Sequence, residues 1–266
     1  MTTDFVHLHV HSAYSLIAGG TGASSLEALA AAAVERGMHA LAITDTNGVY
    51  GAMDYARVAD AYGITPVYGV SLETAAERAV LLPFDATGWA TLCRAVTERH
   101  HKPEFAVSHQ LSADRAGLAI LSYDLALLET LVRASGPEDL YVELVPGRGR
   151  ERALAFARRH GLTPVATNAV GFAHPQDHAR HRLLAAITRN ATLSTVPPDA
   201  LLPRDAWLKS PAEMARLFPD CPEALATTVE LAARCRGGPP AGTVILPENH
   251  GPEALAKLRS LTELGA

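Results

Sequence analysis

Three histidines alternate near the start of the chain, in His7-Leu8-His9-Val10-His11. Imidazole is suited both to binding a divalent metal and to moving a proton near neutral pH. In an extended segment side chains alternate, so Phe5, His7, His9 and His11 would share one face and Val6, Leu8 and Val10 the other. Two imidazoles two residues apart can grip one divalent ion, with a carboxylate completing the set. A lone histidine would read as a hydrogen-bonded core residue. Three in alternation point to a metal site, working or ancestral.

The elements that must position this run follow from the hydrophobic pattern. Phe5–Val10 reads as a strand, and a helix is expected from about Leu26 to Arg36, opened by the Ser24/Glu27 capping-box spacing and closed by Gly37. Further strands are expected at Ala40–Thr44, Thr65–Val70, Val80–Leu82, Leu118–Ser122, Tyr141–Val145 and Val165–Thr167. Between and after them, helices are expected near Ala52–Tyr62, Trp89–Thr97, Leu125–Arg133, Arg150–His160 and Asp177–Arg189. Continuous apolar strands alternating with helices predict a parallel sheet covered by helices, and so many βα units favour closure into a barrel. In a barrel Val6, Leu8 and Val10 would meet the helices. The histidines would line the inside, near the strand ends where barrel enzymes place their sites. After Asn190 strands stop. A short helix to Phe218, a helix at Pro222–Arg234 and a last helix at about Pro252–Leu264 are expected, with a linker at Arg236-Gly237-Gly238-Pro239-Pro240. Residues 191–266 thus read as a helical appendage to a 1–190 α/β unit.

Composition narrows the function classes. Of 266 residues 48% are hydrophobic and 19% charged, which excludes chain-wide disorder. The net charge of −5 gives no general attraction for nucleic acid, and weak or no DNA binding is expected. Cys93, Cys221 and Cys235 form no CxxC pair, which argues against a disulfide framework or thiolate zinc site and suits a reducing cytoplasm. The start, Met1-Thr-Thr-Asp-Phe, has no signal-peptide pattern, and no apolar stretch is long enough to span a membrane.

Other clusters have simpler readings. His174, Asp177, His178 and His181 could sketch a helical zinc site, but Asp177 suffices as a partner of the helix dipole. His100-His101-Lys102 reads as an exposed loop. Gly19-Gly20-Thr21-Gly22 lacks the ending of a phosphate-binding loop. Arg148, Arg150, Arg152, Arg158 and Arg159 read as a solvated helix face.

The segment FVHLHVHSAYSL (Phe5–Leu16) resembles the opening of the PHP (polymerase and histidinol phosphatase) domain, in the version found at the N-terminus of bacterial family C DNA polymerases. The resemblance continues in order through ALAITD (Ala40–Asp45), YGA (Tyr50–Ala52), GITPVYG (Gly63–Gly69), PVATN (Pro164–Asn168) and LKSPAEMARLFPDCPEAL (Leu208–Leu225). It implies a distorted (βα)7 barrel that holds up to three metals in active members.

Position by position, the resemblance implies that little of that metal set survives. His9 and His11 match the HxH pair. Ala18 stands where an Asp is expected, and Thr46 where a His follows the kept Asp45. Ser71 replaces a Glu, with Glu73 nearby but expected on the other face, and Arg78 replaces a His. Asp124 falls on a Cys or His position and could still ligate, whereas Ala169 and Gly171 fall on the late Asp and His. A hydrolytic metal must be held by several ligands, because it activates water and neutralises phosphate together. The expected site is therefore a residual His9, His11 and Asp124 set with no tightly bound cofactor, at most residual zinc or manganese. No residue is assigned a catalytic role.

The expected function is a structural, docking PHP domain of a family C polymerase, in replication or error-prone repair synthesis. Its partners would be the polymerase core or other replication and repair proteins. The chain carries no aspartate-rich segment for nucleotidyl transfer, and the polymerase palm is expected to lie beyond it. The competing readings are an active metal-dependent phosphoesterase or 3'-5' exonuclease, and a binding module with a new ligand in the old pocket.

Overall fold

The computed structural model describes residues 4–20, 22–240 and 252–265; Met1–Thr3 and Thr21, on which the leader and glycine-loop readings partly rest, lie outside them. The chain alternates α1 (Leu26–Glu35), β1 (Ala40–Ile43), α2 (Ala52–Tyr62) and β2 (Thr65–Tyr68) with β3 (Val70–Glu73), β4 (Arg78–Pro83), α3 (Ala86–His101) and α4 (Val107–Ala113). It continues through β5 (Leu118–Ser122), α5 (Leu125–Ser135), β6 (Leu140–Leu144), α6 (Arg150–His160), β7 (Thr163–Ala166) and α7 (His178–Thr188). Helices α8 (Pro211–Leu217), α9 (Pro222–Arg234) and α10 (Pro252–Leu264) follow.

The strands form two sheets, β1-β2 and β3-β4-β5-β6-β7, and neither closes on itself. The expectation of parallel strands throughout is corrected: β3 pairs antiparallel with β4, and β4 antiparallel with β5. The connection Thr74–Glu77 is too short for a parallel crossover and can only make a hairpin. The expected strand Thr65–Val70 divides at Gly69, where a Cβ would lie 2.6 Å from the Leu81 carbonyl oxygen. Only glycine admits that close approach of β4. At α1 the N-cap is Ser25, which accepts from the Ala28 N–H, while Ser24 Oγ accepts from the Ala173 N–H.

Phe5–Val10 is extended but forms no ladder strand. It is held on two sides by separate backbone bonds: Ala42 and Thr44 N–H donate to the His7 and Val10 carbonyls, and Val170 N–H donates to His9. A parallel bridge between Thr46 and Ser71 ties the edge of the first sheet to β3. The simple alternation of this segment is also corrected. Val6 and Leu8 pack with Ala42, Val80, Leu82, Leu121 and Val165, among the strands, and Val10 packs with α1 and α2 residues. Phe5 joins the large cluster that includes Leu92 of α3 and Leu111 of α4. The alternation breaks between Leu8 and His9 because no continuous ladder imposes a pleat there.

His7 is a core residue. It is fully buried, its Nε2–H donates to the Lys209 carbonyl at 2.8 Å, and its Nδ1 has no hydrogen-bond partner. Burial, with Lys209 and Arg36 adding to it, lowers its pKa to about 4. Helix α9 contributes Leu231, Ala232 and Cys235 to the cluster that holds Val6 and Leu8, and Thr228 Oγ1 accepts from the Val6 N–H at 3.1 Å. No helix among the described residues is long and apolar enough to cross a membrane.

Two predictions follow from this packing. Because the folded pKa of His7 lies below its ordinary value, the unfolded chain takes up the proton first as pH falls. Stability complete above about pH 6.5 is then lost towards pH 4, on the order of 2–3 kcal/mol. Urea unfolding at pH 7 and pH 4.5 should show a smaller difference in His7→Gln, which keeps a donor for Lys209 but cannot titrate; equal differences would refute the assignment. Leu231→Ala should cost about 2–5 kcal/mol, the usual range for emptying a core leucine site. A loss under about 1 kcal/mol would mean that α9 docks only loosely.

Candidate functional site

A cavity of about 490 Å³ is lined by His9 and His11, by Thr46 after β1, by Glu73 and Arg78 at the β3–β4 turn, by Tyr123 after β5, and by Arg99, Arg148, Ala169 and Arg189. His9 and His11 face each other, Nε2 to Nε2, at 3.0 Å. His9 Nδ1 lies 2.6 Å from Glu143 Oε1, and Thr167 Oγ1 donates to the same oxygen at 2.6 Å. At the other end His11 Nδ1 lies 3.3 Å from both Thr46 Oγ1 and Ser15 Oγ, and Ser15 Oγ donates to Asp45.

One proton arrangement satisfies every atom of this chain. The Thr46 hydroxyl donates to His11 Nδ1, His11 Nε2–H donates to His9 Nε2, and His9 Nδ1–H donates to Glu143. His11 is then a neutral ring. Burial, reinforced by His9, holds His11 at about 4, in keeping with that arrangement. Burial pushes the Glu143 carboxyl up, but His9 and Thr167 outweigh it and the net shift is downward.

Three expectations change here. Asp124 does not line the cavity; its carboxylate caps α5, accepting from the Ala126 and Leu127 N–H groups, and its neighbour Tyr123 faces inward instead. Glu73 is not on the far face. It lines the cavity and accepts from Ser71 Oγ at 2.7 Å, as residues two apart in a strand must point the same way. Arg148 is not part of a solvated helix face: it precedes α6 and stacks on the Tyr123 ring at 4.2 Å.

Asp45, although kept, is turned to the loop. It accepts from the Ser12 N–H, Ser12 Oγ and Ser15 Oγ at 2.6–2.8 Å, and burial raises its pKa despite those bonds. Ser71 and Thr46 carry only hydroxyls, and Ala169, at φ 43, sits at the mouth with no donor. Among the described residues no group of three or more His, Cys, Asp or Glu is placed to hold a metal. The two facing Nε2 atoms could share one ion, but this donor set does not fit a multi-metal hydrolytic centre.

The other discounted clusters resolve locally. Asp177 accepts from the His174 N–H, buried His181 accepts from the Leu202 N–H, and His100 lies in the last turn of α3, donating to the Asn47 carbonyl. Sequence reasoning missed Glu143. Its signal was a single acid inside the apolar run Tyr141–Val145, where an uncompensated carboxylate is costly.

The PHP domain model matches residues 7–160. The chain belongs to the PHP domain family. Within it, this PHP domain is 31% identical over 289 residues to the DNA polymerase III subunit alpha of Pseudomonas aeruginosa, which covers 96% of the chain and 24% of that protein. It is also 31% identical over 275 residues to an error-prone DNA polymerase of Symbiobacterium thermophilum, covering 87% of the chain and 25% of that protein. The chain therefore spans about a quarter of the length of these relatives, matching the N-terminal region of the alpha subunits. Among solved structures, an amidohydrolase from Chromobacterium violaceum matches with TM-score 0.44 and 16% identity, over 62% of this chain and 87% of that one.

If Glu143 orients the histidine pair, its loss should be felt more than loss of the far end of the chain. Glu143→Leu should cost about 1–3 kcal/mol by leaving a buried imidazole donor unpaired, and Thr46→Val less than about 1 kcal/mol. Chemical denaturation of both variants, with His9→Ala as the second edge of a double-mutant cycle, measures this. Additive effects of Glu143→Leu and His9→Ala would refute the coupling.

Proposed function

We propose that this PHP domain is a structural and docking unit of the DNA polymerase III alpha and error-prone polymerase class, and that its metal chemistry is largely lost. The observation that carries the reading is the set of residues around the surviving His9–His11 pair. Thr46, Ser71, Arg78, Ala169 and Gly171 stand where the family resemblance implies metal ligands, Thr46, Arg78 and Ala169 of them in the cavity lining, and Asp45 and Asp124 are committed to a loop and a helix cap. Two imidazoles alone hold an ion weakly. Zinc or manganese, if bound at all, is residual. The proposed partner is a family C polymerase core or another replication or repair protein, in the cytoplasm, with at most weak direct contact to DNA.

In this reading the two linked sheets correspond to a distorted (βα)7 barrel over residues 1–190. Residues 191–266 form a helical extension leading towards the polymerase body. The alternative, an active metal-dependent phosphoesterase or 3'-5' exonuclease, draws on the facing His9 and His11 nitrogens alone.

Elemental analysis of the purified full chain should find well under one zinc or manganese per molecule. Hydrolysis of a phosphomonoester and of single-stranded DNA should be no faster than in His9→Ala/His11→Ala. Two or three metals per chain, with hydrolysis abolished in the double variant, would overturn the proposal in favour of the phosphoesterase.

A further inference from the structure

A second cavity, of about 670 Å³, shares no lining residue with the histidine cavity. It opens at the other end of the first sheet. Ala40 and Thr65, the first residues of β1 and β2, line it, whereas Thr46, past the end of β1, lines the histidine cavity. The buried side chains of Phe5, Val6, Met38 and Ala232 form its base. Helix α9 supplies one wall. Val229, Ala232, Ala233 and Arg236 recur at i, i+3, i+4 and i+7, so one face of that helix, and of the residue just past its end, is turned into the cavity. At 1.5 Å per residue this face runs for about 10 Å.

The charges on the lining are few, and they are unequal in what they can do. The Arg36 guanidinium is spent on the protein: it donates to the Ala32 and Ala173 carbonyls and lies over the Trp207 ring. Arg236 is exposed, and its Nε donates to the Ala233 carbonyl at 3.0 Å, which fixes the stem and aims the fork. Among the described residues Arg236 forms no ion pair, whereas Arg234, two positions before it, pairs with Asp139. His39, also exposed, adds a second polar group to the rim. Asp4 is the carboxylate of the described lining, and it would repel a head group carrying more than one negative charge. An apolar base of this size with a few polar groups on its rim is the usual form of a small-molecule site. The arginine fork matches a carboxylate, two donors to two oxygens.

We propose that this cavity binds a monocarboxylate with a medium-length apolar chain. The chain lies along α9 over Phe5, Val6 and Met38, and the Arg236 fork holds the carboxylate at the rim. The site is one of binding and not of catalysis. The inference goes beyond the docking role and does not depend on whether the histidine cavity holds a metal.

The test is calorimetric titration of the full chain with sodium dodecanoate, below the concentration at which it forms micelles. One site per chain is expected. Octanoate should bind more weakly, by up to roughly fourfold for each methylene no longer buried. Dodecanol should bind about three- to tenfold more weakly than dodecanoate, the scale of one partly screened charge-assisted contact. Arg236→Gln should lose the same factor for dodecanoate and none for dodecanol. Ala233→Trp puts an indole into the cavity from an exposed position and should abolish binding. Ala212→Trp, exposed on the lining contributed by α8, should do the same if the first variant fails to fold.

Absence of dodecanoate binding would overturn the proposal, as would full affinity in folded Ala233→Trp and Ala212→Trp, which would place the ligand elsewhere. Equal affinity for dodecanoate, dodecanol and dodecyltrimethylammonium would reduce the site to an unselective apolar surface and overturn it too. Helix α10 carries exposed Leu258 and Leu261 and is the rival occupant within this chain. Binding that tightens at least about tenfold in Leu258→Glu/Leu261→Glu would assign the cavity to that helix and overturn the proposal; unchanged binding supports it.

Discussion

Residues 5–11 must satisfy their backbone on two sides without belonging to a ladder. On one side they bond to Ala42 and Thr44 beside β1; on the other they exchange bonds with Val170 in the loop after β7. A buried peptide group left without a partner is costly, so both neighbours have to be in place for the segment to be stable. Through it the β1-β2 sheet is tied to the far edge of the five-stranded sheet, and the Thr46–Ser71 bridge makes the matching connection at the near edge. The cavity lies where these joints meet, and its two histidines sit on the joining segment.

The polar chain across that joint explains why His9 and His11 are retained in a setting poor in other ligands. Glu143 is 2% exposed, a position a carboxylate tolerates only with strong partners. His9 and Thr167 are those partners, and His11 extends the series to Thr46. Removing one member strands the others in low dielectric, so the pair has structural reason to persist whether or not an ion is present. The cavity's arginines belong to a different set of residues, on β4, α3 and the loop before α6: Arg78 and Arg148 lie over the Tyr123 ring, and Arg99 donates to the Glu73 carbonyl.

The extension after residue 190 is bound into the same core. Met214, Phe218 and Leu225 pack in the large cluster that joins strands to helices, and Leu231 and Cys235 pack among the strands beside Val6 and Leu8. A PHP domain built this way presents the histidine cavity apart from the face covered by α9. The extension also reaches the cavity itself, since Ala200, Leu201, Leu202 and Pro203 lie in its lining.

Local periodicity was enough to place most elements of this PHP domain. The expected helices at Ala52–Tyr62, Arg150–His160 and Pro222–Arg234 coincide with α2, α6 and α9, because each carries its apolar spacing and stop signals within itself. The HxH pair was equally legible, as its chemistry resides in residue types two apart. Strand direction was not: β4 runs antiparallel to both neighbours, set by a short turn and by which edges remained free to pair. Nor could spacing reveal that Glu143, 134 positions from His9, would be its partner, or that Asp124 would turn to cap a helix. Those outcomes depend on long-range packing and on the need of every buried donor and acceptor for a partner, and only the assembled tertiary structure decides which partner is within reach.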